Sequence, residues 1–386
     1  MYIDVHLFEY KDFSTGAYYN QCSGILSPPI EELISGDLQL NFPQDIVIST
    51  INGYKIHSNG HSIRVDTPDH ASYAVRRVLF DKFFIEEAEK EKIKIHKFRV
   101  TDIDINNDFV MLYSEGMDLR ADFVAGAFGL DDGGCKLFER ATKYKQPNYL
   151  ESIIIKYTCP KGQVLKDKNT IHAFLPKNKK IDFAGISPKE DHIVINIAAK
   201  KASKALMDEF LLSDEARAVL PPDFYESFDS LSYFKGRFPN GLARNFYGHR
   251  YVVLGDAAGL VRTFKGKGIN SGIITGRAAA EVIVKNGVSR EALHEYYYAL
   301  RQIVNDIKYG KLTRYITLWS KSRGIFGEML ELAKDDPELK EAFYASVSGT
   351  KYYKQIFQLV LNKKTLIKLC RCWLYHFIPF KKQQKS

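Results

Sequence analysis

Apolar and polar positions change period most sharply in residues 251–283. Residues 251–254 form a short apolar run of buried-strand type that stops at Gly255-Asp256, the mark of a strand end turning into a loop. The loop is rich in glycine (Gly255, Gly259, Gly266, Gly268). Such residues admit backbone angles that side chains forbid and let a flat or anionic group approach the main chain. After Gly268 the spacing turns helical, with Gly272, Gly276, Ala278, Ala279 and Ala280 along one face, so a helix packed closely on a sheet or a ligand is expected. A carboxylate at a strand end beside a helix N-terminus is suited to hold a polyol while the helix faces negative charge.

Elsewhere the pattern alternates between strand-rich and helical stretches. Residues 2–9 read as a strand closed by Glu9. In residues 45–69 apolar positions alternate with polar ones, and Asn52-Gly53 and Asn59-Gly60 supply two hairpin signals, which predicts an antiparallel excursion. Residues 73–84 lead into an amphipathic helix ending near Glu91. Four strands are expected at 93–98, 100–105, 109–114 and 119–127. A second strand-rich block covers 149–199, helix follows over 202–220 up to Pro221-Pro222, and 232–238 is a further strand. Residues 289–323 read as a long helical region. Residues 359–380 set Lys and Arg against Leu, Ile, Trp373, Tyr375 and Phe377, which fits either a helix lying in a membrane interface or a C-terminal helix capping a domain.

Composition narrows the class. With 386 residues, 45% of them hydrophobic and 26% charged, the chain is large enough for two connected domains. The formal net charge of +9 is carried by scattered lysines without a basic-aromatic signature, so no nucleic acid partner is expected. Five cysteines, Cys22, Cys135, Cys159, Cys370 and Cys372, show no zinc spacing, which indicates reduced thiols in a cytoplasmic protein and no metal. Neither a secretory signal nor an uncharged apolar stretch of bilayer-spanning length is found.

Three motifs carry a family resemblance. Gly255-Asp-Ala-Ala-Gly259, Gly266-Lys-Gly268-Ile-Asn270 and Gly272-Ile-Ile-Thr-Gly276-Arg-Ala-Ala-Ala280 resemble the second FAD-binding motif of p-hydroxybenzoate-hydroxylase-type flavoproteins, particularly the geranylgeranyl reductase branch. The resemblance implies that Asp256 accepts a ribityl hydroxyl of FAD. It further implies that the helix beginning near Ile269 points its N-terminus at the flavin edge where charge appears on reduction. Thr263 stands where the family usually has proline, and Lys267 where the reductases often have glutamate. Residues 19–28, with Cys22-Ser-Gly24 and Ser27-Pro28, resemble the CxGG…SP segment of these reductases. This makes Cys22 the candidate thiol beside the flavin, its other reading being a small buried hydrophobe. Tyr73-Ala-Val-Arg-Arg77-Val-Leu-Phe80-Asp81 resembles the segment whose arginine lies over the cofactor, so Arg77 is either that residue or the partner of a nearby acid. Glu9 takes the place of the acid that accepts the adenosine ribose, or is a surface acid at a strand end. His172, Phe174 and Pro176 sit about where the reductases carry a wall of the isoprenoid pocket, and aromatics on strands are equally core. Phe128 replaces the aspartate of the hydroxylase motif Ala-Asp-x-Val-x-Gly-Ala-Asp-Gly.

The expected fold class is therefore α/β. A Rossmann-like FAD-binding domain is expected over 1–44, 73–148 and 241–288, with its first strand and G-x-G-x-x-G turn missing, through either truncation of the sequence or a real loss of normal FAD affinity. A substrate-sheet excursion occupies 45–72, an antiparallel substrate domain 149–240 and a helical region 289–386. The resemblance implies an FAD-dependent oxidoreductase that reduces alkene bonds of an isoprenoid or similarly apolar lipid, with NADPH or reduced ferredoxin as electron donor. It also implies a cytoplasmic location with peripheral contact to the inner face of the membrane. A flavin monooxygenase and a non-catalytic lipid-binding protein on the same fold are the alternatives.

Overall fold

The computed structural model describes residues 3–13, 22–66, 72–160, 165, 167–190, 192–262, 267–362, 364–365 and 367–369. The chain divides into two compact units. One is assembled from Met1–Ser49, Tyr73–Leu150 and Arg237–Lys308, the other from Thr50–Ser72, Glu151–Gly236 and Tyr309–Ser386. The helical region after residue 288 is thus shared between them, and the division falls inside the helix Arg301–Ser322.

In the first unit, His6–Phe8 pairs in parallel with Lys94–His96. Val100–Ile105, Val110–Ser114 and Asp118–Ala121 form a three-stranded antiparallel meander. Val124–Gly126 runs parallel to Tyr251–Val253 in a separate sheet. The single strand expected over 119–127 is therefore two, broken at Asp122-Phe123, because its halves hydrogen-bond to different partners. Val252 and Val253 are fully buried. Their β-branched side chains favour a strand and suit one covered on both faces. They pack in a cluster with Phe138, Tyr144, Ala257, Ala258, Ala279, Tyr296 and Ile307. The helix Gly268–Asn286 follows and stops at Gly287, which has a φ of +89°.

The second unit holds a seven-stranded sheet in the order Tyr233–Pro239, Tyr149–Thr158, His192–Ala199, Ile181–Lys189, Thr170–Phe174, Gly53–Ser58, His61–Asp66. Asn59 and Gly60, at φ +52° and +80°, make the tight turn between its last two strands, as their sequence predicts. Asn52-Gly53 does not make a hairpin. Neither residue has a positive φ, and both N–H groups instead donate to the Asn169 carbonyl, at 2.9 and 3.3 Å. The chain there leaves the strand Val47–Ile51, which lies in another sheet, for Gly53–Ser58. Ile181–Lys189 is buried along its whole length. The helix Lys204–Leu211, capped by Ser203, contributes Met207, Phe210 and Leu211 to the core beside Ile195, Ile197 and Phe174.

His57 and His172 face each other in this sheet. Their rings stack at 5.2 Å, with His57 Nε2 and His172 Nδ1 hydrogen-bonded at 3.0 Å, and Phe174 lies on His57 at 4.5 Å. Burial, then the neighbouring His172 and Lys55, lowers the His57 pKa to about 3. Burial and Lys55 lower His172 to about 4. Both rings are neutral at neutral pH.

At the C-terminal side, Asp336 caps the helix Pro337–Ser348 and accepts from Lys368 Nζ at 2.8 Å. Of the basic stretch 359–380, residues 370–380 lie outside the described residues. No helix among the described residues is long and apolar enough to cross a membrane.

Two stability measurements check this description. Gly259 has a φ of +69°, and a Cβ there would overlap the Gly241 carbonyl oxygen. Gly276 lies within a helix with nothing close to where a Cβ would be. In urea denaturation Gly259→Ala is expected to lose more than about 2 kcal/mol, whereas Gly276→Ala is expected to gain about 0.5–1 kcal/mol. The histidine pair sets a pH slope. Because the folded-state pKa values lie below 6.5, the unfolded chain takes up protons that the folded one refuses. Stability is then fully retained above about pH 6.5 and declines as pH falls toward 4, by at most about 1.4 kcal/mol per pH unit for each ring. His172→Gln should flatten that decline, and an unchanged slope would refute the assignment.

Candidate functional site

The site grows out of the end of the buried strand Tyr251–Val253. Gly255 turns the chain with a φ of +52°, and its N–H donates to Thr275 Oγ1 at 3.0 Å. A Cβ on Gly255 would lie 3.5 Å from the Gly272 Cα, so the turn is seated against the helix Gly268–Asn286. On the other side, the buried Tyr144 hydroxyl donates to the Ala257 carbonyl at 2.7 Å. Both anchors come from residues distant in sequence, and together they fix Asp256.

The Asp256 carboxylate lies against the first residue of that helix. Any Cβ on Gly268 would overlap Asp256 Oδ1, so only glycine allows the approach. Burial raises the Asp256 pKa to about 6, against the opposing influence of Arg77. Among the described residues no group donates a hydrogen bond to this carboxylate. A desolvated acceptor without a donor is costly, and here it stands beside a helix N-terminus carrying roughly half a positive charge and unpaired N–H groups. The place fits a ligand that supplies hydroxyls to Asp256 and an electron-rich edge to the helix.

Beside it, Arg77 begins the helix Arg77–Lys90 and donates from Nε and Nη2 to Asp81 Oδ1 at 3.1 and 2.6 Å. Its guanidinium also meets the Cys22 thiol. Burial alone would lower the Arg77 pKa, but Cys22 and Asp81 together push it up. Cys22 Sγ accepts from the Gly24 N–H at 3.4 Å and is half-buried. Arg77 thus makes both the acid contact and a contact to the thiol.

The segment containing Cys22 is tied to the helix start. Lys267 Nζ donates to Ser27 Oγ at 2.6 Å, and Asn270 Nδ2 donates to the carbonyls of Ser27 and Pro28 at 3.0 and 3.1 Å. Ile269 packs its side chain on the cluster of Leu26, Ile30, Ile34, Val75 and Phe80. The side chains of Ile269 and Asn270 therefore hold protein, and their backbone N–H groups belong to the first helical turn, where no intrahelical acceptor exists. Gly266 lies outside the described residues.

The other expected residues lie apart from this group. Glu9 follows the strand His6–Phe8, and its carboxylate accepts the Lys11 N–H at 3.0 Å. His172, Phe174 and Pro176 are buried in the second unit, with Phe174 meeting Phe210 edge-on at 5.3 Å and His172 bonded to His57. Phe128, at the hydroxylase aspartate position, packs on Phe138 at 4.9 Å and Tyr144 at 5.9 Å. Thr275 and Tyr144, which brace the Asp256 turn, escaped the sequence reading.

No family model matches this chain. The chain is 25% identical over 292 residues to the digeranylgeranylglycerophospholipid reductase of Methanococcus vannielii, covering 70% of this chain and 72% of that protein. Its fold resembles the geranylgeranyl bacteriochlorophyll reductase-like protein of Thermoplasma acidophilum, with a TM-score of 0.70, 14% identity, and coverage of 96% and 93% of the two chains. It also resembles a flavoprotein/dehydrogenase of Cytophaga hutchinsonii, with a TM-score of 0.67, 16% identity, and coverage of 97% and 93%. The fold is that of these α/β flavoproteins.

Proposed function

We propose that this chain is an FAD-dependent oxidoreductase that saturates alkene bonds of an isoprenoid lipid. The observation that carries the reading is the Asp256 carboxylate, desolvated, without a donor among the described residues and pressed against Gly268 at a helix start. The relatives named as isoprenoid-lipid reductases support the substrate class.

Asp256 would hold a ribityl hydroxyl, and the first turn of the Gly268–Asn286 helix would face the edge that gains charge on reduction. Glu9 would exchange its contact to Lys11 for the adenosine ribose hydroxyls. Bound flavin supplies hydride transfer to one alkene carbon, and either NADPH or reduced ferredoxin would renew its electrons. Cys22 is proposed to deliver the proton to the other carbon, with the Arg77 guanidinium and the Gly24 N–H steadying the sulfur as the proton leaves. The apolar strand around His172, Phe174 and Pro176 would belong to the lipid-binding part, and residues 359–380 would rest on the membrane surface where such a lipid resides. Phe128 argues against hydroxylation, because the aspartate of the hydroxylase motif is replaced by an aromatic ring packed among other rings.

The cofactor assignment predicts a loss and a pH dependence. Asp256→Ala should weaken FAD binding by about 1.5–3 kcal/mol, the range for a charged hydrogen bond, as read from flavin fluorescence quenching. Since ionised Asp256 is the better acceptor, FAD affinity in the unaltered protein should decline as pH falls through about 6, and Asp256→Asn should remove that decline. Protein that fails to quench FAD at any pH would end the reading. The chemistry is tested by incubating reconstituted protein and reductant with a geranylgeranyl lipid without oxygen. Mass spectrometry should show the addition of two hydrogens for each double bond consumed, while a product that forms only with oxygen present and gains an oxygen atom would mean hydroxylation instead.

A further inference from the structure

Three hydrogen bonds join two short pieces of chain that lie more than two hundred residues apart. Lys267 Nζ meets Ser27 Oγ at 2.6 Å, and the single Asn270 amide nitrogen serves two successive carbonyls, Ser27 at 3.0 Å and Pro28 at 3.1 Å. Ser27 is 5% exposed and the two donors are half-buried, so the acceptor side of these bonds is withdrawn from water, and losing a donor leaves it unmet. Directly below, Leu26 and Ile30, at 0% and 1% exposure, pack against Ile269 and Ile273.

We propose that Lys267 and Asn270 are positioning residues: they clip residues 22–28 to the first turn of the helix Gly268–Asn286 and thereby hold the Cys22 thiol at one place. The sulfur's surroundings follow from this clip. Gly24, at φ +67°, lies between Cys22 and Ser27 and gives its N–H to Sγ. A displaced 24–28 segment would move that donor and draw the thiol away from Arg77. Asn270 meets the requirement because its amide is a donor. A carboxylate of the same shape would face two carbonyls with no proton to offer. The inference rests on the flavin reading only for what Cys22 faces, since the clip itself is a property of this chain.

The test measures alkylation of Cys22 by iodoacetamide, followed by peptide mass spectrometry on the full chain with and without added FAD. Lys267→Met and Asn270→Asp should each lower the Cys22 rate several-fold and the double variant about tenfold, as loss of ~1.4 kcal/mol of the contacts that steady the sulfur would give. Lys267→Arg, which keeps a donor for Ser27, should restore the rate close to that of the unaltered chain. In the reconstituted enzyme kcat should decrease with KM little changed. A Cys22 rate in the double variant equal to that of the unaltered protein overturns the clip, as does equal slowing by Lys267→Met and Lys267→Arg. Should the double variant not fold, Ser27→Ala removes only the Lys267 acceptor, and an unchanged rate there has the same force. Absence of FAD uptake by the unaltered protein would count against the flavin reading alone, because the alkylation ratios are obtained without cofactor.

Discussion

The contact between the Asp256 carboxylate and the Cα of Gly268 is the constraint from which the rest of the site follows. It demands a glycine at the helix start, a left-handed turn at Gly255 to aim the carboxylate, and a helix face small enough at Gly272 to let that turn approach. It leaves a half-buried acceptor whose charge, among the described residues, is offset by the helix start and by Arg77. Placing an ionisable group so that its ordinary solvation is removed and nothing in the described chain replaces it destabilises the empty protein. Such an arrangement persists in a fold when a partner restores what burial took away.

Much of this is local and could be read from the chain. Gly255, Asp256 and Gly268 fall within fourteen consecutive positions, and the strand, the turn and the helix start each announce themselves by composition alone. The turn at Asn59-Gly60 is equally local. The braces are not. Thr275 reaches Gly255 from two helical turns inside a neighbouring element, and Tyr144 reaches Ala257 across 113 positions. The bond between His57 and His172 spans 115 positions, so nothing near either residue marks it. Asn52-Gly53 shows the converse limit. It has the composition of a hairpin, but its N–H groups are claimed by Asn169, and a long-range partner overrides a short-range signal. The motif points to Asn270 as a cofactor residue, and its side chain also donates to the Ser27 and Pro28 carbonyls, contacts no local pattern announces.

Phe128 is held by several elements at once. Gly126 and Gly134 both press on that ring or its neighbour, and Phe138 and Tyr144 enclose it. Tyr144 in turn carries the hydroxyl that braces Ala257. The ring is thus one step from the Asp256 turn through packing alone. An aspartate in the same position would have to ionise among aromatic carbons, at a desolvation penalty of several kcal/mol.

The passage of the chain five times between the two units bears on how the protein is made. The first unit's core draws on Ile103 and Phe138 near one end and on Val304 and Ile307 near the other. The first unit's core is closed only once residues 304–307 have been made, whereas the cluster from Ile153 to Phe224 in the second unit lies in one stretch that emerges earlier. Val252 and Val253, apolar and β-branched, would have to wait unburied until residue 307 is synthesised. The order in which the chain is made thus sets when the strand Tyr251–Val253 can be covered.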